Sequence, residues 1–240
     1  MTNRRLQSLQ EEYQRPDHWN YKSDPYELLK YDQTLALVPP GRYARVLEVG
    51  CSEGVFTRRL APLADDILGL DLVPVALERA QRECADLANV RFRRFDLEVD
   101  DLQLQRDQGD QRFDLIFCAE VLYYLRWTRL RPVTRKIASW LKPGGYLIAV
   151  HAKSEIVVTW EFGPKGADRT HKLFERPGMR RLHDQDEGEY VLTLFQKVED
   201  VRTSRWQALW EDVRGQDYPN LAWAVLRRGR AWLRRQGRRR

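Results

Sequence analysis

The residues best suited to bind a small molecule stand at the ends of short apolar segments. Residues 48–54 (EVGCSEG) follow the first of these segments, and Asp71 and Asp96 end the second and the third. Glycines in such a turn remove Cβ atoms, so that a ligand can lie directly against the backbone. Aspartates at these positions can accept hydrogen bonds from the hydroxyls of a ribose and from an exocyclic amine. The pattern predicts a pocket for a nucleoside.

The spacing of the glycines disfavours a dinucleotide. Gly50 and Gly54 are separated by three residues, and Ser52 stands where the GxGxxG fingerprint has its second glycine. A pyrophosphate needs that close approach of the backbone, whereas a nucleoside without phosphate does not. Glu48 would also repel a phosphate, although the same carboxylate can order the turn or meet an ammonium group through water. A nicotinamide-dependent oxidoreductase is therefore the less favoured alternative.

Each of these residues also has an ordinary structural interpretation. An aspartate after a strand is usually a turn or helix-capping residue, and Gly50 and Gly54 alone would be common turn residues. Their joint order at the ends of successive strands is what favours a ligand site. Cys51, Leu72 and Leu97 adjoin the predicted pocket. The Leu97 N–H is expected to reach the ring of the nucleoside's base.

The elements that must position these residues alternate between strand and helix. Strands are predicted at residues 45–49, 66–70, 90–95, 113–118, 146–150 and 190–198, and helices at 56–63, 75–85 and 133–141, the last stopped by 142–145 (KPGG). We predict an α/β fold with a doubly wound, Rossmann-like, mostly parallel sheet and helices on both faces. The last strand should form an antiparallel hairpin at the sheet edge, and residues 154–168 should form a lid or substrate loop.

Composition excludes several classes of protein. The chain has 240 residues, of which 42% are apolar and 32% charged, as expected for one domain or one domain with a small appendage. No apolar stretch approaches the length of a membrane span, and no apolar run follows the first arginines, so we expect neither a span nor a secretory signal. The three cysteines form no CxxC pair. We therefore expect no metal site and a cytoplasmic location.

The positive charge is concentrated at the C-terminus. Residues 226–240 hold eight arginines and no acid, and the rest of the chain has 33 basic and 35 acidic residues. A body so nearly neutral is not built to hold nucleic acid. The tail is interpreted as a solvated terminus, as an amphipathic helix that contacts an anionic membrane surface or an acidic partner, or as an RNA contact.

The series LEVGCSEG, GLDLVP, RFDLE, FDLIFCAEVLYYL and LKPGGYLI lies between residues 40 and 155 and resembles the class I S-adenosylmethionine-dependent methyltransferases. Residues 18–31 (HWNYKSDPYELLKY), together with CSEGVFTRRLAP and AEVLYYL, look like the narrower group of nodulation protein S, an N-methyltransferase that acts on the amino sugar of a chitooligosaccharide. The resemblance implies S-adenosylmethionine as the cofactor. It also implies methyl transfer to a nitrogen or an oxygen of a small molecule, with amino sugars, oligosaccharides and natural products as candidate acceptors.

The patterns and the resemblance together divide the chain into three parts. Residues 1–40 are expected to be a helical lid segment, 41–200 the domain that binds S-adenosylmethionine, and 201–240 a helical, arginine-rich tail. A cofactor-binding module that is anchored by this tail and lacks activity is a further alternative.

The resemblance also implies roles for individual residues. Gly50 would lie against the methionine part of the cofactor, Asp71 would bind its ribose and Asp96 would face its adenine. Trp19 and Lys30 would close the pocket from the N-terminal lobe, and the lysine would hold the cofactor carboxylate. Trp19 is interpreted alternatively as simple core packing.

Three residues are candidates for the catalytic base: His151, His171 and Glu120. An amine must be neutral to attack, and a hydroxyl needs a base even more. Histidine suits this task because its ordinary pKa is near 6.5, although a single histidine is more often structural. Tyr123 and Tyr124 follow Glu120 and should line the pocket near the reacting end.

Overall fold

The computed structural model describes residues 3–104, 112–153 and 166–198. Its helices are α1 (Asn3–Glu12), α2 (Pro25–Ala36), α3 (Val55–Leu60), α4 (Pro74–Glu83), α5 (Trp127–Ser139) and α6 (Ala167–Thr170), with 3-10 helices at Ala61–Leu63, Leu122–Tyr124 and His171–Phe174. Its strands are β1 (Tyr43–Val49), β2 (Ala64–Asp71), β3 (Val90–Arg94), β4 (Phe113–Ala119), β5 (Leu141–Ala152), β6 (Met179–Asp186) and β7 (Tyr190–Lys197). The arginine-rich tail and most of the predicted substrate loop lie outside the described residues.

Seven strands form one sheet in the order β3-β2-β1-β4-β5-β7-β6. Strands β1 to β5 pair in parallel, and β7 runs antiparallel to both β5 and β6. The strand order reverses between β1 and β4, and in such sheets the ligand crevice opens there, beyond the carboxyl ends of the strands. The predicted α/β fold, with its mostly parallel sheet and antiparallel edge hairpin, is confirmed.

Side chains of β1 alternate between the two faces of the sheet. Val46 packs in one cluster with Phe56 and Leu60 of α3, whereas Leu47 packs in another with Ile137 of α5. Successive strand residues point to opposite faces, and here both faces are buried. Helices therefore cover both faces, as predicted, and hold in place the strand ends that carry the site.

The structure bears on two expectations from the composition: the state of the cysteines and the presence of membrane-spanning helices. The three cysteines Cys51, Cys84 and Cys118 are buried and free. In the part of the chain that the structure describes, no helix has the length and the apolar character that a bilayer crossing requires.

The helix predicted over residues 133–141 is wrong at both ends. Helix α5 begins at Trp127 and ends at Ser139, and Pro132 lies inside it. A proline usually marks the first turn of a helix, because its missing N–H is not needed there. The position of Pro132 therefore concealed the true start. Helix α3 likewise ends at Leu60, because Pro62 lies in a 3-10 helix and cannot donate an α-helical hydrogen bond.

The helix ends before residues 142–145, as predicted, but β5 begins at Leu141 instead of Tyr146, so these residues belong to the strand. Leu141 pairs with Phe113, and regular pairing resumes at Tyr146 after a shift of register. A Cβ on Gly145 would lie 3.0 Å from the Asp114 carbonyl oxygen. Gly145 is thus required by close packing within an irregular strand and does not mark the end of a strand.

Gly54 is a position where we expect a substitution to cost stability. Its φ is +80°, and a Cβ there would lie 3.0 Å from the Cα and Cβ atoms of Ala80 in α4. Gly54→Ala should lower the free energy of unfolding by about 1–2 kcal/mol for the left-handed backbone and by a further ~1–3 kcal/mol for the overlap with α4. Urea unfolding followed by circular dichroism measures the loss.

Gly144 provides the matched control for Gly54. It has the same φ of +80°, but a Cβ atom there would meet nothing within 4 Å. Gly144→Ala should therefore show the backbone cost alone. Equal losses in the two variants would contradict the close packing of Gly54 on α4.

Candidate active site

A cavity of about 290 Å³ lies beyond the carboxyl ends of β1, β2, β3 and β4. Ten residues singled out in the sequence line it: Trp19, Lys30, Gly50, Asp71, Leu72, Asp96, Leu97, Glu120, Tyr123 and Tyr124. The structure thus brings together both aspartates, the glycine turn and the residues after β4. Five other predicted residues do not line it: Glu48, Cys51, Gly54, His151 and His171.

Asp71 is fixed in the cavity by the backbone around it. Its Oδ2 atom accepts a hydrogen bond from the Ser52 N–H at 2.9 Å, and its Oδ1 atom accepts one from the Val73 N–H, also at 2.9 Å. Burial raises the pKa of this carboxyl, and the backbone hydrogen bonds oppose that shift. The carboxylate therefore holds the turn after β1 to the turn after β2, while it also faces the cavity.

The loop after β3 forms the next part of the wall. The Oδ1 atom of Asp96 accepts the Glu98 N–H at 2.9 Å. The buried Glu98 carboxylate in turn accepts the Arg126 N–H at 2.8 Å and the Arg126 Nε at 2.7 Å. This ion pair joins the loop after β3 to the loop after β4. Glu98 also lines the cavity; the sequence offered it only as the last residue of the RFDLE motif, two residues after Asp96.

Glu48 and Cys51 line a narrower cavity that adjoins the first and shares Lys30, Gly50 and Glu120 with it. The Glu48 carboxyl accepts a hydrogen bond from the Thr57 hydroxyl of α3, and burial raises the pKa of Glu48 to about 8. Of the two roles predicted for Glu48, the ordering of the turn is the one these contacts support.

Gly54 lies at the start of α3 and packs on α4 instead of on the cavity. The sequence grouped it with Gly50 because both flank the same turn. The left-handed backbone at both glycines explains the pattern, since each has a φ near +80°. Contacts of Gly54 and Cys51 with a cofactor stay predictions.

The N-terminal segment closes one side of the cavity with aromatic rings. Tyr13, Trp19, Tyr21 and Tyr26 all line it. The Trp19 ring meets the Tyr13 ring edge-on at 4.9 Å and stacks on the Tyr21 ring at 5.6 Å. Trp19 therefore packs against other rings and also faces the cavity, and its contact with a cofactor stays a prediction. Tyr13, Tyr21 and Tyr26 were not among the predicted site residues, although residues before position 40 are rich in aromatic side chains and Tyr21 and Tyr26 lie in the segment 18–31 that resembles nodulation protein S.

Glu53 ties this segment to the turn after β1. Its carboxylate accepts the Asp17 N–H at 3.0 and 3.2 Å and pairs with the Arg79 guanidinium at 2.6 Å. The Tyr13 hydroxyl is hydrogen-bonded to the Ser52 hydroxyl at 2.8 Å. The glycine turn thus receives contacts from the N-terminal segment as well as from Asp71.

Lys30 and two carboxylates form a partly enclosed charge cluster. The Lys30 ammonium lies 2.9 Å from Glu27 and 3.5 Å from Glu120, and Lys30 is only 6% exposed. Burial raises the pKa of Glu27, although Lys30 opposes that shift. With both acids ionised the cluster carries one net negative charge. The predicted hold of Lys30 on a cofactor carboxylate stays a prediction, and Glu27 is a residue that the sequence missed.

Glu120 stands at the turn after β4 with a φ of +49°. Its Oε2 atom accepts the Ala152 N–H of β5 at 3.3 Å. The neighbouring Tyr123 has a pKa raised well above its ordinary value, first by burial and then by the Glu120 charge. The Tyr123 hydroxyl therefore stays protonated at neutral pH. Glu120 is the predicted base that the structure places on the cavity wall.

His151, on the interior strand β5, and His171 lie side by side outside the cavity. They are 0% and 2% exposed, and the His151 Nδ1 atom lies 3.0 Å from the His171 Nε2 atom. Burial lowers the pKa of His171 to about 3 and the pKa of His151 well below its ordinary value. Their predicted role as bases stays a prediction, and both imidazoles are neutral near pH 7.

These groups predict how stability varies with pH. His151 and His171 have lower pKa values in the folded chain than the ordinary 6.5, so the unfolded chain binds more protons below pH 6.5. Stability should fall with falling pH there, by up to about 1.4 kcal/mol per pH unit for each imidazole. Glu48, with its pKa raised from 4.5 to about 8, should make stability fall as pH rises towards 8. Urea unfolding between pH 5 and 8 should thus give a maximum near pH 6.5.

Two variants test the acid and the alkaline limbs of the pH–stability profile separately. His171→Gln should flatten the acid limb, and Glu48→Gln should flatten the alkaline limb. A wild-type profile that is level between pH 5 and 6.5 would contradict the neutral, buried state of the two histidines.

Comparison with known proteins identifies the family. Residues 2–182 match the family model of nodulation protein S (NodS). The chain is 34% identical over 170 residues to nodulation protein S of Bradyrhizobium diazoefficiens, covering 70% of this chain and 78% of that protein. It is 32% identical over 201 residues to nodulation protein S of Rhizobium tropici, covering 81% of each.

A solved structure agrees with these matches. The crystal structure of N-methyltransferase NodS from Bradyrhizobium japonicum WM9, in complex with S-adenosyl-L-homocysteine, superposes with a TM-score of 0.72 at 27% identity. The superposition covers 81% of this chain and 99% of that chain. These findings decide against the nicotinamide-dependent alternative. The chain belongs to the nodulation protein S family of S-adenosylmethionine-dependent methyltransferases.

Proposed function

We propose that the protein transfers the methyl group of S-adenosylmethionine to an amine nitrogen of a small molecule, with amino sugars as the first class of acceptor. The observation that carries the proposal is the pair of carboxylates, Glu27 and Glu120, on the wall of the cavity that also holds Asp71 and Asp96. The name of the solved relative, an N-methyltransferase, supports the choice of nitrogen.

The groups on the cavity wall fit S-adenosylmethionine part by part. Asp71 offers carboxylate oxygens to the ribose hydroxyls, and Asp96 offers one to the exocyclic amine of adenine. Gly50 would lie against the methionine part; its φ is +83° and a Cβ atom there would lie 3.1 Å from the Val121 Cβ atom, so the turn requires glycine. Lys30 would compensate the cofactor carboxylate. When bound, the cofactor supplies an activated methyl group on a positively charged sulfur.

The charge cluster suits an amine acceptor. An amine arrives mostly as an ammonium ion, and the cluster of Glu27, Glu120 and Lys30 has one more carboxylate than it has cations. Carboxylates only accept hydrogen bonds when ionised, and an ammonium only donates. Glu120 would therefore bind the ammonium and orient its nitrogen. A neutral hydroxyl acceptor would gain much less from this arrangement.

One proton must leave the acceptor before transfer. The nitrogen attacks with the lone pair that this proton releases, the carbon–nitrogen bond forms as the sulfur–carbon bond breaks, and the sulfur takes the bonding pair. Glu120 is placed to receive the proton, either directly or through the Tyr123 hydroxyl. The rings of Trp19 and Tyr21 exclude water from the reacting end. Alignment of this kind is often the larger part of the rate enhancement.

A matched pair of acceptors tests the proposal. The purified full chain is incubated with ¹³C-methyl S-adenosylmethionine and either glucosamine or N-acetylglucosamine, which differ only in whether the amine is free. We expect a methyl signal on nitrogen with glucosamine and no transfer with N-acetylglucosamine. Ethanolamine tests whether the sugar ring is needed.

The chemical shift of the transferred carbon tells nitrogen from oxygen. Signals on oxygen, with both sugars alike, would contradict the assignment of nitrogen. No transfer to any of the three compounds, from protein that binds S-adenosylhomocysteine, would favour the alternative of an inactive cofactor-binding module.

A further inference from the structure

A buried chain of hydrogen bonds leads from the cavity wall to the surface at β6. The Leu122 N–H donates to His151 Nε2 at 3.2 Å, and His151 Nδ1 lies 3.0 Å from His171 Nε2. His171 Nδ1 lies 2.7 Å from the Thr193 hydroxyl oxygen, and that hydroxyl donates to Asp184. Both imidazoles and Thr193 are at most 2% exposed.

The two ends of this chain fix its direction. A backbone N–H can only donate, and an ionised carboxylate can only accept. His151 accepts at Nε2, so its proton must be on Nδ1 and is donated to His171. His171 accepts that bond at Nε2 and therefore donates from Nδ1 to Thr193. One tautomer of each histidine satisfies all four contacts.

This direction leaves no lone pair for proton transfer from an acceptor. The Nε2 lone pair of His151 already accepts the Leu122 N–H, and the His171 lone pair accepts from His151. Neither ring lines the cavity. A base would have to give up one of these buried bonds, which leaves a donor unsatisfied.

The Leu122 end of this hydrogen-bond chain lies next to the active site. Leu122 begins the 3-10 helix Leu122–Tyr124, where the first N–H groups have no partner inside the helix. Glu120, Tyr123 and Tyr124 stand in the same turn and line the cavity. Glu120 has a left-handed backbone, with a φ of +49°, so the turn depends on contacts from outside it.

We propose that His151 and His171 are positioning residues, whose neutral, directed hydrogen-bond chain to Thr193 and Asp184 holds the 120–124 turn so that Glu120 and Tyr123 face the acceptor. This assigns the histidines a role in place of the predicted proton transfer. The low pKa of each ring, set mainly by burial, agrees with the neutral state. The charges that act on the rings are Lys30 near His151, and Arg181 and Asp168 near His171.

The first test is the tautomeric state of the wild-type protein. In ¹⁵N-correlated NMR spectra at pH 7, we expect two histidines that are neutral with the proton on Nδ1. A proton on Nε2 of either buried ring, or a charged ring, would overturn the proposal. This arm needs no acceptor, so it is independent of the proposed amine transfer.

The second test interrupts the hydrogen-bond chain at Thr193 and measures methyl transfer to glucosamine. This test rests on the proposed function. Thr193→Val keeps the size of the side chain but removes the hydroxyl. We expect kcat to fall roughly 5- to 10-fold, as for the loss of one buried hydrogen-bond partner. The Kd for S-adenosylhomocysteine should stay within about 2-fold, because Asp71 and Asp96 are untouched.

Two further variants make the second test specific. Thr193→Ser restores the hydroxyl and should restore kcat. Thr134→Val removes another buried threonine hydroxyl, which donates only within α5 to the Arg131 carbonyl, and should leave kcat unchanged. A wild-type kcat in Thr193→Val would overturn the proposal. So would a shifted acid limb in its pH–kcat profile, because that result indicates proton transfer through the histidines.

Discussion

Replacing Asp71 with alanine is expected to weaken the binding of S-adenosylhomocysteine by roughly 10- to 100-fold, or about 1.4–3 kcal/mol. The carboxylate has two roles that alanine cannot fill. It faces the cavity, where the ribose hydroxyls would donate to it, and it accepts the Ser52 and Val73 N–H groups. The variant therefore loses a ligand contact and the contact that joins two turns. Isothermal titration calorimetry of the full chain measures the change.

Asp66 provides the matched control on the same strand. It lies at the other end of β2, where it pairs with Arg45 at 3.3 Å and Arg91 at 2.7 Å, away from the cavity. Asp66→Ala should leave the affinity within about 2-fold of the wild type, as expected for a distant and independent site. An unchanged affinity in a folded Asp71→Ala variant would remove Asp71 from the cofactor site.

Replacing Glu120 with glutamine is expected to lower kcat for an amine acceptor by roughly 100-fold, at the low end of the range for general acid–base groups. The amide keeps the size of the side chain and its hydrogen bond to the Ala152 N–H, but it has neither the negative charge nor the basicity of a carboxylate. The variant should bind the acceptor ammonium more weakly and take its proton poorly. Initial rates with glucosamine measure the change.

Three comparisons sharpen the result for Glu120. The Kd for S-adenosylhomocysteine should change less than about 3-fold, because Asp71 and Asp96 remain. A higher pH should recover part of the lost rate, because more of the amine is then already neutral. Glu189 is an exposed glutamate outside the cavity, and Glu189→Gln should be as active as the wild type. A Glu120→Gln variant with the wild-type rate would contradict the role of this carboxylate.

The part of the candidate site that the strands carry could be predicted from the sequence because parallel strands share one edge. Asp71 ends β2, Asp96 closely follows β3 and Glu120 follows β4, and the parallel strands of one sheet end at the same edge. These residues are far apart in the sequence, but the parallel sheet brings them to the same edge. The same reasoning placed Gly50 and Leu97 on the cavity wall.

The part of the cavity wall that the N-terminal segment supplies could not be predicted in the same way. Glu27 and Tyr13 come from a polar segment before the first strand, where no strand or turn pattern says which side chain faces the sheet. Gly54 was grouped with Gly50 because one left-handed turn contains both a glycine that faces the cavity and a glycine that packs on α4. Sequence spacing does not distinguish these two uses of glycine.

The histidines show a different limit. The ordinary pKa of an imidazole, near 6.5, made both histidines candidate bases, yet the role of an imidazole depends on what its two nitrogens contact. Thr193 and the Leu122 N–H supply those contacts from other parts of the chain. Such a network is set by tertiary packing, and no local pattern predicts it.

The central claim is that one cavity holds the cofactor against Asp71 and Asp96 and the acceptor amine against Glu120. A crystal structure of the full chain with S-adenosylhomocysteine and glucosamine tests it most directly. We predict ribose hydroxyls on Asp71 and the sugar amine on Glu120, each at about 3 Å. An amine that is bound away from Glu120, or a ribose that does not reach Asp71, would contradict the claim.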